Sequence, residues 1–206
     1  MNTFEIYFFI ALVPSIVLHE VSHGYVAYRF GDPTAKENHR LTLNPLRHVD
    51  PFGTVLLPAL LILSHLPAFG YAKPVPVNVG RLRDPRRQSL YVSLAGPAVN
   101  IVLSGVGWLI SEVAIHLNTL WLLQFGVALG LVNLTLAVFN LLPIPPLDGS
   151  AIIERFIPRH RLPDYYRFRM KALPIVMLLI IADSLYFHVG TSALASLQNW
   201  WLHLLV

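Results

Sequence analysis

The 206-residue sequence has no cysteine, so neither a disulfide framework nor a thiolate site for zinc or haem is open to it. Charge is scarce as well. Lys, Arg, Asp and Glu together make up 13% of the residues, about half the roughly 25% usual in a globular domain. Hydrophobic residues make up 55%. A chain so poor in polar groups cannot cover itself for water, and lipid is the solvent it fits. The first apolar stretch also lacks the basic start and short apolar region of a secretory signal. It carries Glu5, Pro14, His19 and Glu20 before reaching Phe30, and it reads as a retained helix. No internal repeat or low-complexity tract is present, which predicts one domain over residues 1–206.

What the sequence does have is apolar runs. Five approach or exceed the roughly 20 residues needed to cross a hydrocarbon core about 30 Å thick. They are Phe4–Phe30, Ser89–His116, Leu120–Leu142, Ala172–His188 and Thr191–Val206. A sixth run, Phe52–Phe69, is shorter and interrupted by Pro58 and Pro67. All 15 Lys and Arg residues fall in three stretches, 29–47, 73–87 and 155–171. Basic residues mark cytoplasmic loops, so the formal charge of +4 reads as membrane topology and not as a nucleic-acid surface. If Phe52–Phe69 crossed the membrane, the second basic stretch would lie outside. A re-entrant hairpin avoids that conflict, its irregular backbone covered by protein or facing a wet cavity. The predicted fold is an all-α polytopic membrane protein with about five transmembrane helices, a re-entrant hairpin and a short extended segment.

The first run contains Leu18-His19-Glu20-Val21-Ser22-His23-Gly24. Histidines four apart project from one helix face. Such a pair can share one zinc ion, with the adjacent Glu placed to take a proton from an attacking water. In a surface helix these side chains would merely face water. Within an apolar helix, ionisable groups are costly and mark function. At about 1.5 Å of rise per residue, His19 lies roughly 15 Å from Arg29 along the axis, too deep for a decorative role.

Catalytic zinc takes three protein ligands and leaves one position open, so a third ligand is required. Asn140-Leu-Leu-Pro-Ile-Pro-Pro-Leu-Asp148-Gly149 supplies a candidate. Three prolines within four residues cannot continue a helix, and the break can turn Asp148 inward. Alone, the loop reads as a helix end with Asp148 capping the next helix. Beside a two-histidine site in need of an acid, Asp148 becomes the third ligand. Topology agrees, since the helices from Ser89 and Leu120 bring Asp148 to the same side as the histidines.

These motifs, with Gly96-Pro97-Ala98-Val99-Asn100 between them, resemble the site-2 protease family of intramembrane zinc metalloproteases. The chain resembles in particular the compact class lacking a PDZ domain, as do Leu41–Gly53 and Tyr71–Asn78. The resemblance implies one Zn2+ per chain held by His19, His23 and Asp148, with Glu20 as catalytic base and acid. It implies substrate-positioning or oxyanion roles for Asn140 and Asn100, although Asn140 also suits a helix-pair hydrogen bond and Gly96 close helix packing. The expected function is hydrolysis of peptide bonds within or near transmembrane segments. The partners are then transmembrane substrates and the lipid bilayer, and the expected place is the plasma membrane, with the active site open to the cytoplasm.

Lys73–Val79 alternates proline with valine and reads as an extended edge. An unwound substrate could pair with it by strand addition, although a plain loop fits equally. Glu112 and Asp183 sit in apolar runs as gating, packing or near-surface groups. His48 and Asp50 before Pro51 read as a turn. Two other functions fit less of the sequence: a transporter or channel, which would need no zinc, and a non-proteolytic scaffold, which would not need Glu20.

Overall fold

A computed structural model describes residues 3–64 and 71–205, and among them the chain is helical with no β-strand. Helix α1 (Thr3–Arg29) is followed by the short α2 (Thr34–Glu37). A π-helical turn, Pro51–Leu56, then leads into α3 (Leu57–Leu63). The return of the expected re-entrant hairpin, residues 65–70, lies outside the described residues. The long helices α4 (Pro85–His116) and α5 (Leu120–Leu141) follow, then the short α6 (Ser150–Glu154). Helices α7 (Leu162–Ala182) and α8 (Val189–His203) complete the chain.

Among the described residues, three helices are long and apolar enough to span a membrane: α1, α4 and α5. A fourth span arises if Leu162–Arg169 and Lys171–Phe187 are taken together, and these meet at 51°. The described residues thus give three or four spans where about five are expected. The bend lies four residues before Pro174, whose missing N–H frees the carbonyl of the preceding turn. Helix α8 has 15 residues, about 22 Å at 1.5 Å per residue, short of a hydrocarbon core of roughly 30 Å. Asp183 has a structural contact in this arrangement. Its carboxylate accepts from the amides of Val189, Gly190 and Thr191, each at 3.0 Å, and so caps the start of α8.

The helices α1, α4 and α5 pack against one another and form the centre of the fold. Each shows a narrow buried stripe at helical spacing. In α1 it runs Ala11, Ser15, His19, His23, Ala27, every fourth residue. In α4 it includes Val92, Gly96, Asn100, Ser104, Gly107 and Ser111, and in α5 Gly126, Gly130, Asn133 and Ala137. These stripes are mostly small or polar, with Val92 an exception, whereas Ile6, Phe9, Ile10, Val102 and Leu109 are exposed. Apolar outside with small and polar inside is the pattern expected where lipid surrounds the helices. Close approach depends on glycine: a Cβ added to Gly107 would lie 2.4 Å from the backbone N of Gly130.

Candidate metal centre

The buried stripe of α1 carries His19 and His23 one turn apart, both facing α4 and α5. Their Nε2 atoms lie 3.1 Å from each other. Asp148 Oδ2 lies 3.2 Å from His19 Nε2 and 3.3 Å from His23 Nε2. Asp148 reaches this place because α5 stops at Leu141, where Leu142 turns to an extended conformation ahead of Pro143. The loop then folds back, and the Gly149 amide donates to the carbonyl of Asn140 at 2.7 Å. No side chain is accepted there: a Cβ on Gly149 would lie 2.1 Å from the carbonyl oxygen of Leu141. The Asp148 carboxylate does not cap α6, which begins without a side-chain cap.

Hydrogen bonding on the far side of each ring settles what the near side offers. The Val92 carbonyl can only accept, so His23 Nδ1, 2.7 Å away, is the donor. His19 Nδ1 lies 2.6 Å from Asn100 Oδ1 and donates likewise. A neutral imidazole held this way turns the lone pair of Nε2 toward the other ring and toward a carboxylate oxygen. Asp148 Oδ2 is buried without a hydrogen-bond partner. Three lone pairs converging at 3.1–3.3 Å repel one another unless a cation lies between them. Bonds of about 2.0–2.1 Å in a tetrahedral zinc site put neighbouring ligand atoms about 3.3 Å apart, and this triangle has that size. Among the described residues, His19, His23 and Asp148 form the group able to hold a metal ion.

The floor of the site is Gly96. A Cβ there would lie 2.4 Å from His23 Nε2 and 2.6 Å from His19 Nε2. The glycine of the central motif is thus needed where the imidazoles lie against α4, beyond any need of helix packing. Glu20 projects beside the triad, and its Oε2 accepts from the Val75 amide at 2.8 Å. Residues 71–78 are neither helix nor ladder. They are tied down by alternate amides: Tyr71 to the Gly53 carbonyl, Lys73 to the His48 carbonyl, Val75 to Glu20. Buried Arg40 also donates to the Lys73 carbonyl at 2.7 Å.

A cavity of about 580 Å³ opens over the triad, lined by His19, Glu20, His23, Asp148 and Asn140, with walls from Pro74–Val75 and from Leu173, Met177 and Ile180 of α7. Asn140 donates to the Leu136 carbonyl at 2.9 Å and still lines this cavity. Asn100 does not line it. It lies fully buried behind His19, and its Nδ2 donates to Asn133 Oδ1 at 2.7 Å.

The residues expected from sequence as metal ligands and base are brought together here. The chain matches Peptidase family M50 over residues 7–117 and 112–182. It belongs to that family. Peptidase family M50 is the site-2 protease family of zinc metalloproteases, and the histidine–aspartate triangle fits its metal. Two relatives are candidate zinc metalloproteases by name. YwhC of Bacillus subtilis is 43% identical over 159 residues, covering 74% of this chain and 69% of the relative. Rip2 of Mycobacterium tuberculosis is 36% identical over 178 residues, covering 83% and 65%. Zinc metalloprotease MJ0392 of Methanocaldococcus jannaschii is 30% identical over 152 residues, covering 73% of this chain and 34% of its own length. The chain thus spans a third to two-thirds of the length of these M50 relatives. No solved structure matches it.

Sequence reasoning did not single out Asn133, Ser15, Arg40 or the Val75 amide. Asn133 and Ser15 carried a signal, since both are polar residues inside spans and such residues are costly there.

Proposed function

We propose that this chain is an intramembrane zinc endopeptidase that hydrolyses peptide bonds within or near transmembrane segments of membrane-protein substrates. One observation carries the reading: three metal-ligating atoms converge within a cavity set among apolar helices, with Glu20 at its edge. Zinc held there supplies Lewis acidity, making water nucleophilic near neutral pH and polarising a carbonyl. His19, His23 and Asp148 hold it. Glu20 takes the proton from the attacking water and delivers it to the leaving amine, while the Val75 amide fixes the carboxylate. The Asn140 amide, facing the cavity, positions the substrate or meets the developing oxyanion. Asn100, turned away from the cavity, orients His19.

The segment at residues 71–78 is suited to hold an unwound substrate. Tyr71, Lys73 and Val75 spend their amides inward, and Pro74 and Pro76 have none to offer outward. Its outer edge therefore presents mainly carbonyls, and a pairing strand would donate to it. The three basic stretches favour a cavity that opens toward the cytoplasm, and the plasma membrane is the location that goes with this reading.

The test is purification in detergent, metal analysis and incubation with a transmembrane peptide. One zinc per chain and cleavage abolished by a chelator are expected. Undiminished cleavage in chelator, or a protein that binds no zinc, would overturn the reading.

A further inference from the structure

The hydrogen bonds behind His19 form a directional relay that ends on backbone carbonyls. His19 Nδ1 donates to Asn100 Oδ1 at 2.6 Å, and Asn100 Nδ2 donates to Asn133 Oδ1 at 2.7 Å. Asn133 Nδ2 donates to the Leu129 carbonyl at 2.9 Å and to Ser15 Oγ at 2.8 Å. Ser15 in turn donates to the Ala11 carbonyl at 2.7 Å. Asn100 and Asn133 are 0% exposed and Ser15 is 1% exposed. The relay joins α1, α4 and α5, the three helices of the core.

Its direction is forced from the far end. A backbone carbonyl cannot donate, so Asn133 must turn its NH2 toward Leu129 and its oxygen toward Asn100. That oxygen can only accept, so Asn100 must present its own NH2 to it and its oxygen to His19. An oxygen facing Nδ1 requires a proton on Nδ1. His19 Nε2 is then left with a lone pair, the form that binds a metal. Without Asn133 the Asn100 amide could rotate by half a turn. Its NH2 would then face Nδ1, the proton would move to Nε2, and His19 would present N–H to the metal position.

We propose that Asn133 is a positioning residue for the metal centre: acting through Asn100, it holds His19 in the Nδ1–H tautomer that leaves Nε2 free for the metal. The proposal rests on the metal-binding reading of the triad and not on proteolysis. His23 has no such dependence, because its Nδ1 is fixed directly by the Val92 carbonyl.

The experiment uses the full chain in detergent. Zinc affinity is measured by competition with a chromophoric chelator, and the His19 tautomer by 15N NMR of histidine-labelled metal-free protein. Wild type is expected to bind zinc, and failure to do so refutes the metal reading itself; it is also expected to carry the His19 proton on Nδ1, and a metal-free wild type with that proton on Nε2 overturns the proposal alone. Asn133→Leu should lower affinity about 10–100-fold, the range typical when a partner behind a metal ligand is lost. It should also shift His19, but not His23, toward the Nε2–H form. Asn133→Asp, kept as the neutral acid by full burial, donates its O–H to the Leu129 carbonyl and keeps an acceptor oxygen toward Asn100, and should stay within about threefold of wild type, since the acceptor is what orients the Asn100 amide. If Asn133→Leu does not fold, Asn133→Ser carries the same expectation, its oxygen being too short to reach Asn100. Wild-type affinity and an unchanged His19 signal in the Leu or Ser variant would overturn the proposal. So would an equal loss in Asn133→Asp.

Discussion

The Val75 amide donates to Oε2 of Glu20 at 2.8 Å, across 55 residues of sequence. The proposed base is thereby tied to the extended segment proposed to receive the substrate. Hydrogen bonds to a charged group contribute roughly 1.5–3 kcal/mol. Val75→Pro, which removes this donor together with the buried Val75 side chain from a segment already extended, should lower kcat about 10–100-fold or more by that measure. Zinc content should stay at one per chain. Unchanged turnover would show that Glu20 does not depend on the contact.

Gly96 gives a sharper steric test. Its absent Cβ leaves the room that both imidazoles fill, at 2.4 and 2.6 Å. Gly96→Ala adds one methyl and should displace His19 and His23 together. Zinc affinity should fall at least as far as the roughly 10–100-fold seen when a supporting group is lost. The helical circular dichroism should remain. Normal zinc binding in this variant would mean that the rings are not placed as described.

Asp148 completes the triangle, with contacts of 3.2 and 3.3 Å to the two imidazoles. Asp148→Ala should leave a two-histidine site that loses zinc on dialysis, since a stable catalytic site needs three ligands. Metal analysis after gel filtration reads this directly. Full occupancy would remove Asp148 from the ligand set.

The α4–α5 contact tests the fold separately from the site. Gly107 has room for no side chain against Gly130 and Gly126. Gly107→Val should destabilise the protein by at least the roughly 1–3 kcal/mol typical of overpacking. Thermal unfolding in detergent reads this shift, and an unchanged midpoint would mean that the two helices do not meet there.

The candidate metal ligands were legible in the sequence because their signals are local or strongly typed. His19 and His23 repeat at helical spacing, and Asp148 follows a proline-broken helix end. Helices α1, α4 and α5 were legible because their apolar runs are long. The later runs were not, because hydropathy records length and not direction. A bend four residues before Pro174 and the Asp183 cap at the start of α8 turn two expected spans into a bent helix and a short one. Asn100 was found through its motif, yet its orientation depends on Asn133, 33 residues away. No spacing rule within one helix reports such a partner.

The central claim is that Glu20 serves the chemistry while His19, His23 and Asp148 hold the metal. Glu20→Gln separates the two duties in one preparation, with zinc stoichiometry and cleavage of a transmembrane peptide measured side by side. The account predicts one zinc per chain with cleavage reduced about 100- to 10,000-fold, the usual worth of a positioned general base. Cleavage near the wild-type rate in a fully zinc-loaded Glu20→Gln protein would contradict it.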